Sequence, residues 1–216
     1  MFLGHIGVGL AAKKAAPRVS LGWLIAAPTL LDLLWPIFLL VGWESVRIDR
    51  TATVVTPLDF ASYPISHSLA ASIGWGVLLA TIHRLATRQP GSLVVGALVP
   101  SHWVLDWIVH RPDLPLYPGG AKYGLGLWNS VPATIAAEAA FFGDRRVALC
   151  AARRASGDAQ ALWLLGFWFI AFPVVVYAAN LAGPPPESAA QIATVGLAMW
   201  LFPLWAWAFD QRRRPV

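Results

Sequence analysis

The chain has 216 residues, of which 57% are hydrophobic and only 12% charged, with a mean hydropathy of +0.60. That composition excludes an ordinary soluble domain, because apolar runs of roughly 20 residues, the length that crosses a ~30 Å hydrocarbon layer, recur along it. A net charge of +5 would point to nucleic acid in a soluble protein, but here the basic residues sit in short clusters between apolar runs, so they read as topology signals and no nucleic-acid partner is expected.

Residues 2–12 come first, in the run MFLGHIGVGLAAKK. They are too short to span at ~1.5 Å rise per residue and suit a half-crossing or interfacial helix. No basic residue precedes this run and no small-residue cleavage site follows it, so a cleaved signal peptide is not expected. Six segments are then expected to cross as helices: 21–41, 64–83, 92–110, 127–143, 161–181 and 190–209. Pro100 in the third predicts a kink, and the fourth is short, beginning near Trp128 and Pro132. The Pro184 to Pro186 run predicts a stiff turn between the last two spans. The expected fold is all-α, a polytopic helical bundle forming one integral membrane domain over 1–216. Within it, residues 1–143 would form a metal-site core, 144–160 a basic cytoplasmic loop, and 161–216 two accessory helices with a basic tail.

Sorting Lys and Arg by alternate loops puts Lys13, Lys14, Arg18, Arg84, Arg88, Arg145, Arg146, Arg153, Arg154 and Arg212 to Arg214 on one side, twelve of the sixteen. Only Arg47, Arg50, Arg111 and Lys122 fall on the other. The positive-inside rule therefore predicts both termini in the cytoplasm, with loops 42–63 and 111–127 facing outward. The expected location is a bacterial-type inner membrane.

An ionisable residue within a span costs about 2.5 to 3.5 kcal/mol on insertion scales, so each one needs a partner or a cavity. Asp32, His67, His102, Asp106 and Glu138 are so placed. In SHWVLDWIVH, His102, Asp106 and His110 follow one another at i, i+4 and line one helical face. An imidazole and a carboxylate one turn apart suit a zinc-like ion, which takes nitrogen and oxygen ligands. The outer halves of the first three spans bring Asp32, His67, His102 and Asp106 to similar depth, and His5 would reach that level from the inner surface. A single buried histidine more commonly bonds a backbone carbonyl or a neighbouring helix; it is the joint pattern that predicts a site. His83 adjoins Arg84 and is set aside. The one cysteine, Cys150, excludes an intrachain disulfide and leaves a thiolate site without a second thiol. Glu138 has three open roles: ligand, base, or partner of Arg111 or Lys122. Those two cations lie in the long Pro/Gly-rich loop after His110, which can form a substrate rim.

These segments resemble the YdjM-like membrane-bound metal-dependent hydrolases. The resemblance covers roughly the first 140 residues and is carried by GHIGVGLA with His5, LLDLLWP with Asp32, ISHSL with His67, and SHWVLD with His102 and Asp106. That family is distantly similar to zinc-dependent phospholipases C and single-strand nucleases. The resemblance implies one metal held by Asp32, His67, His102 and Asp106, with Asp106 bridging to a second bound by His5. It departs from the soluble enzymes at their HxxxE pair, since Thr134 stands four before Glu138. Asp106, His110 and Glu138 are the catalytic candidates. The function expected is metal-dependent hydrolysis of a phosphoester in a lipid or lipid-linked substrate, with one or two divalent ions, zinc foremost, and the bilayer as partner. The alternative is a transport protein that uses the same cluster for protons or divalent cations.

Overall fold

The structure, a computed structural model, describes residues 1–143 and 159–211, without side chains at 159–166, 168 and 169. The expected cytoplasmic arginines Arg145, Arg146, Arg153 and Arg154 and the tail Arg212 to Arg214 lie outside the described residues. In chain order the elements are α1 (Phe2–Ala12), α2 (Leu21–Leu40), β1 (Ser45–Ile48), β2 (Leu58–Ser62), α3 (Pro64–His67), α4 (Leu69–Thr87), α5 (Ser92–Val109), β3 (Leu114–Pro115), β4 (Lys122–Tyr123), α6 (Val131–Phe142), α7 (Ala159–Ala182), α8 (Ala189–Gly196) and α9 (Leu201–Gln211). A 3-10 turn at Leu197–Trp200 joins α8 to α9.

Four helices are long and apolar enough to cross a membrane: α2, α4, α5 and the continuous stretch Ala189–Gln211. The chain is thus a mostly helical membrane protein, but six spans are not reached among the described residues. The expected fourth span is α6, only 12 residues long, or about 18 Å of helix. Its start is fixed by the Ser130 N-cap with Pro132 in the first turn, and residues 127–129 before it turn as a 3-10 helix instead of extending it. The expected second span likewise starts late, because Ser68 ends α3 in an extended conformation and caps α4 through Ala71 N. The all-α expectation also needs correction. The loops expected to face outward carry two antiparallel ribbons, β1 with β2 (Arg47 opposite Asp59) and β3 with β4 (Pro115 opposite Lys122). In these ribbons backbone groups are satisfied by pairing between strands.

α2 is the axis of the bundle: 61% of its apolar window is buried, against 17% for α4. α1 packs beside it, with Ile6 and Leu10 against Leu21, Ile25, Phe202 and Phe209. It is enclosed by the bundle, since His5 and Ile6 are each only 1% exposed. Across α2, a second core joins Leu24 and Leu31 to Leu79 of α4 and Val95 and Val99 of α5.

Proline and glycine set how close these helices come. Pro28 has no N–H, so the carbonyl of Leu24 lacks its helical donor. Gly9 of α1 lies against that oxygen, so close that a Cβ would stand 2.4 Å from it. The pattern recurs where Pro100 frees the carbonyl of Gly96 and Gly76 of α4 meets it, a Cβ there falling 2.5 Å away. Small residues allow backbones this close, with Cα–H···O contacts in place of the missing hydrogen bonds. Both crossings draw neighbouring helices onto α2 and α5, the two that carry Asp32 and Asp106.

Candidate metal centre

α5 presents His102 and Asp106 on one face and ends at His110, its C-cap. α2 adds Asp32, and the four-residue α3 adds His67. That short turn is held from outside: Glu44 accepts from Ile65 N and Ser66 N, each at 2.8 Å. α1 brings His5, because Glu138 of α6 accepts from Phe2 N at 2.9 Å and Gly4 N at 2.7 Å, anchoring its first turn.

Asp106 is the hub. Its Oδ2 faces His102 Nε2 at 3.0 Å, His110 Nε2 at 3.6 Å and His67 Nε2 at 4.0 Å. Its Oδ1 meets His5 Nε2 at 3.1 Å and the Met1 amino group. Asp32 Oδ1 closes the other side, 3.4 Å from His67 Nε2 and 3.7 Å from His102 Nε2. Two sets of donor atoms, His5 with His102 and Asp106, and Asp32 with His67 and His102, each lie within 4.8 Å of one another. The five residues expected as ligands therefore converge, with His102 common to both sets.

The second nitrogen of each ring decides what these contacts mean. His102 Nδ1 lies 2.8 Å from the Pro28 carbonyl, which can only accept, so Nδ1 carries the proton. The Ser66 hydroxyl donates to Glu44 Oε2 at 2.6 Å and thus accepts from His67 Nδ1 at 2.7 Å. His110 Nδ1 donates to Asp113 Oδ1 at 2.9 Å. In all three neutral imidazoles the bare lone pair is then on Nε2, pointing among carboxylate oxygens. Lone pairs and anionic oxygens at 3 to 4 Å repel unless every ring is doubly protonated or a cation lies between them. Several buried imidazoliums would be costly. A divalent cation would satisfy the set, and outer partners that fix the tautomer are the usual companions of ligating histidines. His102 Nε2 and His5 Nδ1 are moreover buried without a hydrogen-bond partner. The His5 ring stacks on His102 at 3.8 Å, nearly parallel. Asp32 completes the fit: Leu31 and Leu33 beside it are fully buried, yet a quarter of its side chain is accessible. Water or a ligand can therefore reach this side of the cluster.

No relative supplies the chemistry. No protein-family model, curated protein or solved structure matches the chain. What the cluster can do follows from its donors alone: they could hold one or two divalent ions through nitrogen and oxygen, with a wall open at Asp32.

The remaining site candidates separate. Glu138 is buried but bonded to the backbone of α1, with neither of the outer-loop cations expected as partners, Arg111 and Lys122, among its hydrogen bonds or ion pairs. Arg111, in the loop expected as a substrate rim, is engaged by the carboxylates of Asp113 and Asp59. His83 stays apart as anticipated, against Ser92 Oγ at 2.9 Å and edge-on to Trp23. Sequence reasoning missed the outer layer: Glu44, Ser66, Asp113 and the Pro28 carbonyl. Only Ser66 and Asp113 had a local signal, adjoining His67 and following His110 by three. Tyr63 also belongs here, donating to Asp113 Oδ1 at 3.0 Å. Burial, with the Asp113 carboxylate beside it, pushes the Tyr63 hydroxyl far above its ordinary range, so it remains a donor.

Proposed function

We propose that the protein is a membrane-embedded metal-dependent hydrolase, cleaving a phosphoester of a lipid or lipid-linked substrate. The observation that carries this reading is the convergence of three imidazole Nε2 lone pairs on Asp106 and Asp32, each ring locked by an acceptor at Nδ1. Asp32, His67, His102 and Asp106 would hold one divalent ion, zinc by their donor chemistry, and His5 beside Asp106 would help hold a second. A divalent cation held there would lower the pKa of a water and offset charge on phosphoryl oxygens.

The protein's own groups divide the remaining work. Asp106 orients four histidines through its two oxygens. His110, at 3.6 Å from Asp106 Oδ2 and held by Asp113, is positioned to take a proton from a water at the cluster. Glu138 keeps α1, and with it His5, in register. The apolar walls of α2 and α5 limit bulk water, and the accessible side of Asp32 gives the entry. A phosphoester reading is supported by two donor sets that meet at His102, each with its own carboxylate, and by the resemblance to the YdjM-like hydrolases. Depth in an apolar bundle favours a lipid substrate over a cytosolic solute. The proposal includes six crossings of a bacterial-type inner membrane, with α6 and α7 contributing, and both termini inside, following the excess of inner Lys and Arg.

The test starts with metal content per chain in mild detergent, by elemental mass spectrometry, for the wild type and for Asp106→Ala and His102→Ala. Near-stoichiometric divalent metal that is lost in both variants, with metal-dependent phosphate or headgroup release from phospholipids by the wild type, is the expected result. A folded wild type that binds no metal after reconstitution sinks the reading, as does metal-dependent cation flux in proteoliposomes without hydrolysis.

A further inference from the structure

Two depressions adjoin on the outer side of the molecule, one polar and one apolar. The first is a cleft of about 220 Å³ bounded by Ser62, Tyr63 and Pro64 on one wall and Gly119, Gly120 and Lys122 on the other. The second is an open groove of about 400 Å³ along the start of α4, lined by Ile65, Gly74, Trp75 and Leu78 and by Pro118. Pro64 borders both, and Pro118 and Gly119 are consecutive, so the two share a rim.

The walls are fixed. Trp75 Nε1 donates to the Ile65 carbonyl at 2.8 Å, which sets the indole as one side of the groove. The loop above is tied to α4 by Ala70 N donating to Leu116 O at 2.9 Å, and to α5 by Trp103 Nε1 donating to Pro115 O at 3.1 Å. At the cleft, the charge is uncompensated. Arg111 nearby is engaged by Asp59 and Asp113, whereas Lys122 has no ion pair or side-chain hydrogen bond among the described residues. The groove belongs to a helix long and apolar enough to span a membrane, where hydrocarbon chains would surround it.

We propose that this cleft and groove together seat one anionic phospholipid, its phosphate against Lys122 and an acyl chain along Gly74, Trp75 and Leu78. The seat deepens the hydrolase reading, on which it rests only for the purpose of delivery. Tyr63 forms a wall of the cleft and donates to Asp113, which holds His110, so the bound headgroup lies one layer of side chains from the cluster. Lys122 selects the charge of the headgroup, and the groove requires the lipid rather than a free phosphate.

The experiment is native mass spectrometry of the full chain in detergent, titrated with phosphatidylglycerol, with phosphatidylcholine of the same chains, and with water-soluble glycerophosphoglycerol. Three variants are compared. Lys122→Gln removes the charge. Gly74→Phe fills the groove at a position where a Cβ meets nothing within 4 Å. Leu85→Phe enlarges a 73% exposed residue of α4 away from the groove as a control. Phosphatidylglycerol should bind one per chain, about tenfold more tightly than phosphatidylcholine, with that preference lost in Lys122→Gln and affinity lowered about tenfold in Gly74→Phe alone of the two Phe variants. Equal affinity for both lipids, equal effects of the two Phe substitutions, or equal binding of glycerophosphoglycerol would each overturn the seat. Metal measured on the same samples separates the two readings: metal without lipid selectivity refutes the seat alone, and lipid selectivity without metal refutes the hydrolase alone.

Discussion

His102 Nε2 stands 3.0 Å from Asp106 Oδ2, one helical turn away on α5, and 3.7 Å from Asp32 Oδ1 on α2. Because Nδ1 of the same ring is spent on the Pro28 carbonyl, these approaches place a lone pair against two carboxylates, an arrangement that a cation stabilises. Removing the ion should therefore loosen the junction of α2 with α5. Chelation is expected to lower the unfolding temperature of the wild type in detergent, and zinc to restore it, by about 2.7 kcal/mol of stabilisation at a hundredfold excess over Kd. Asp32→Asn, which keeps the side chain's shape, should lose that response. A wild type indifferent to both treatments would argue against a resident ion.

The Ser66 hydroxyl touches no candidate ligand oxygen, yet it relays Glu44 to His67 Nδ1. Ser66→Ala leaves every ligand in place and frees the His67 ring to turn. Metal affinity measured against a competing chelator should fall about 10- to 100-fold, the usual effect of losing an outer partner. An unchanged affinity would mean that His67 is held by packing against Tyr63 and Trp35 instead.

The inner layer of the site was legible in the sequence and the outer layer was not, for a physical reason. His102 and Asp106 declare themselves by helical spacing, and Asp32 and His67 by the cost of placing them in apolar runs. Glu44 lies in a polar loop, where a carboxylate needs no explanation, and its partner is 22 residues away. The Pro28 carbonyl has no side-chain signature at all. The fold was also only partly legible at 127–143. The hydropathy of that stretch is sufficient, but Ser130 and Pro132 start its helix late, and length, not composition, then limits α6.

Asp113 ties the outer loop to the cluster and should make stability depend on pH. Burial alone would raise its carboxyl, but hydrogen bonds from His110, Tyr63 and Arg111 hold it below its ordinary value. A carboxyl depressed on folding contributes stability that is fully present above its unfolded pKa, near 4, and is lost as pH falls through the lower folded value. Asp113→Asn should cost about 1–3 kcal/mol at neutral pH, the scale of charge-assisted hydrogen bonds lost from a buried donor. The gap between variant and wild type should close as pH drops below about 4. Parallel unfolding curves at all pH values would show that the charge of Asp113 is not what the network uses.

Glu138 lies next to the site without entering either donor set. Its two oxygens accept the amides of Phe2 and Gly4, donors that no helical carbonyl could satisfy at the start of α1. Glu138→Ala should thus destabilise the protein by about 1–3 kcal/mol per stranded buried donor and displace His5. In metal titrations, the variant should weaken any second ion more than the first, whose ligands lie on α2, α3 and α5. Loss of hydrolysis with unchanged stability and metal content would instead assign Glu138 a direct role in the chemistry.

Two glycines two residues apart, and so on different faces of α4, separate packing from propensity. Gly76 meets the Gly96 carbonyl, where a Cβ would stand 2.5 Å from a backbone oxygen, whereas a Cβ on Gly74 meets nothing within 4 Å. Alanine is favoured over glycine in a helix by about 1 kcal/mol, so propensity alone predicts a gain at both positions. Backbone contact overrides it at Gly76, since α4 must move away from α5 and lose packing along the Leu79, Val95 and Val99 core. Gly76→Ala should lower the unfolding temperature in detergent, and Gly74→Ala should leave it unchanged or raise it. Because α5 carries His102 and Asp106, Gly76→Ala should also weaken metal retention although it lies outside the cluster. Equal effects of the two substitutions would show that the proline-freed carbonyl of Gly96 does not set the distance between these helices.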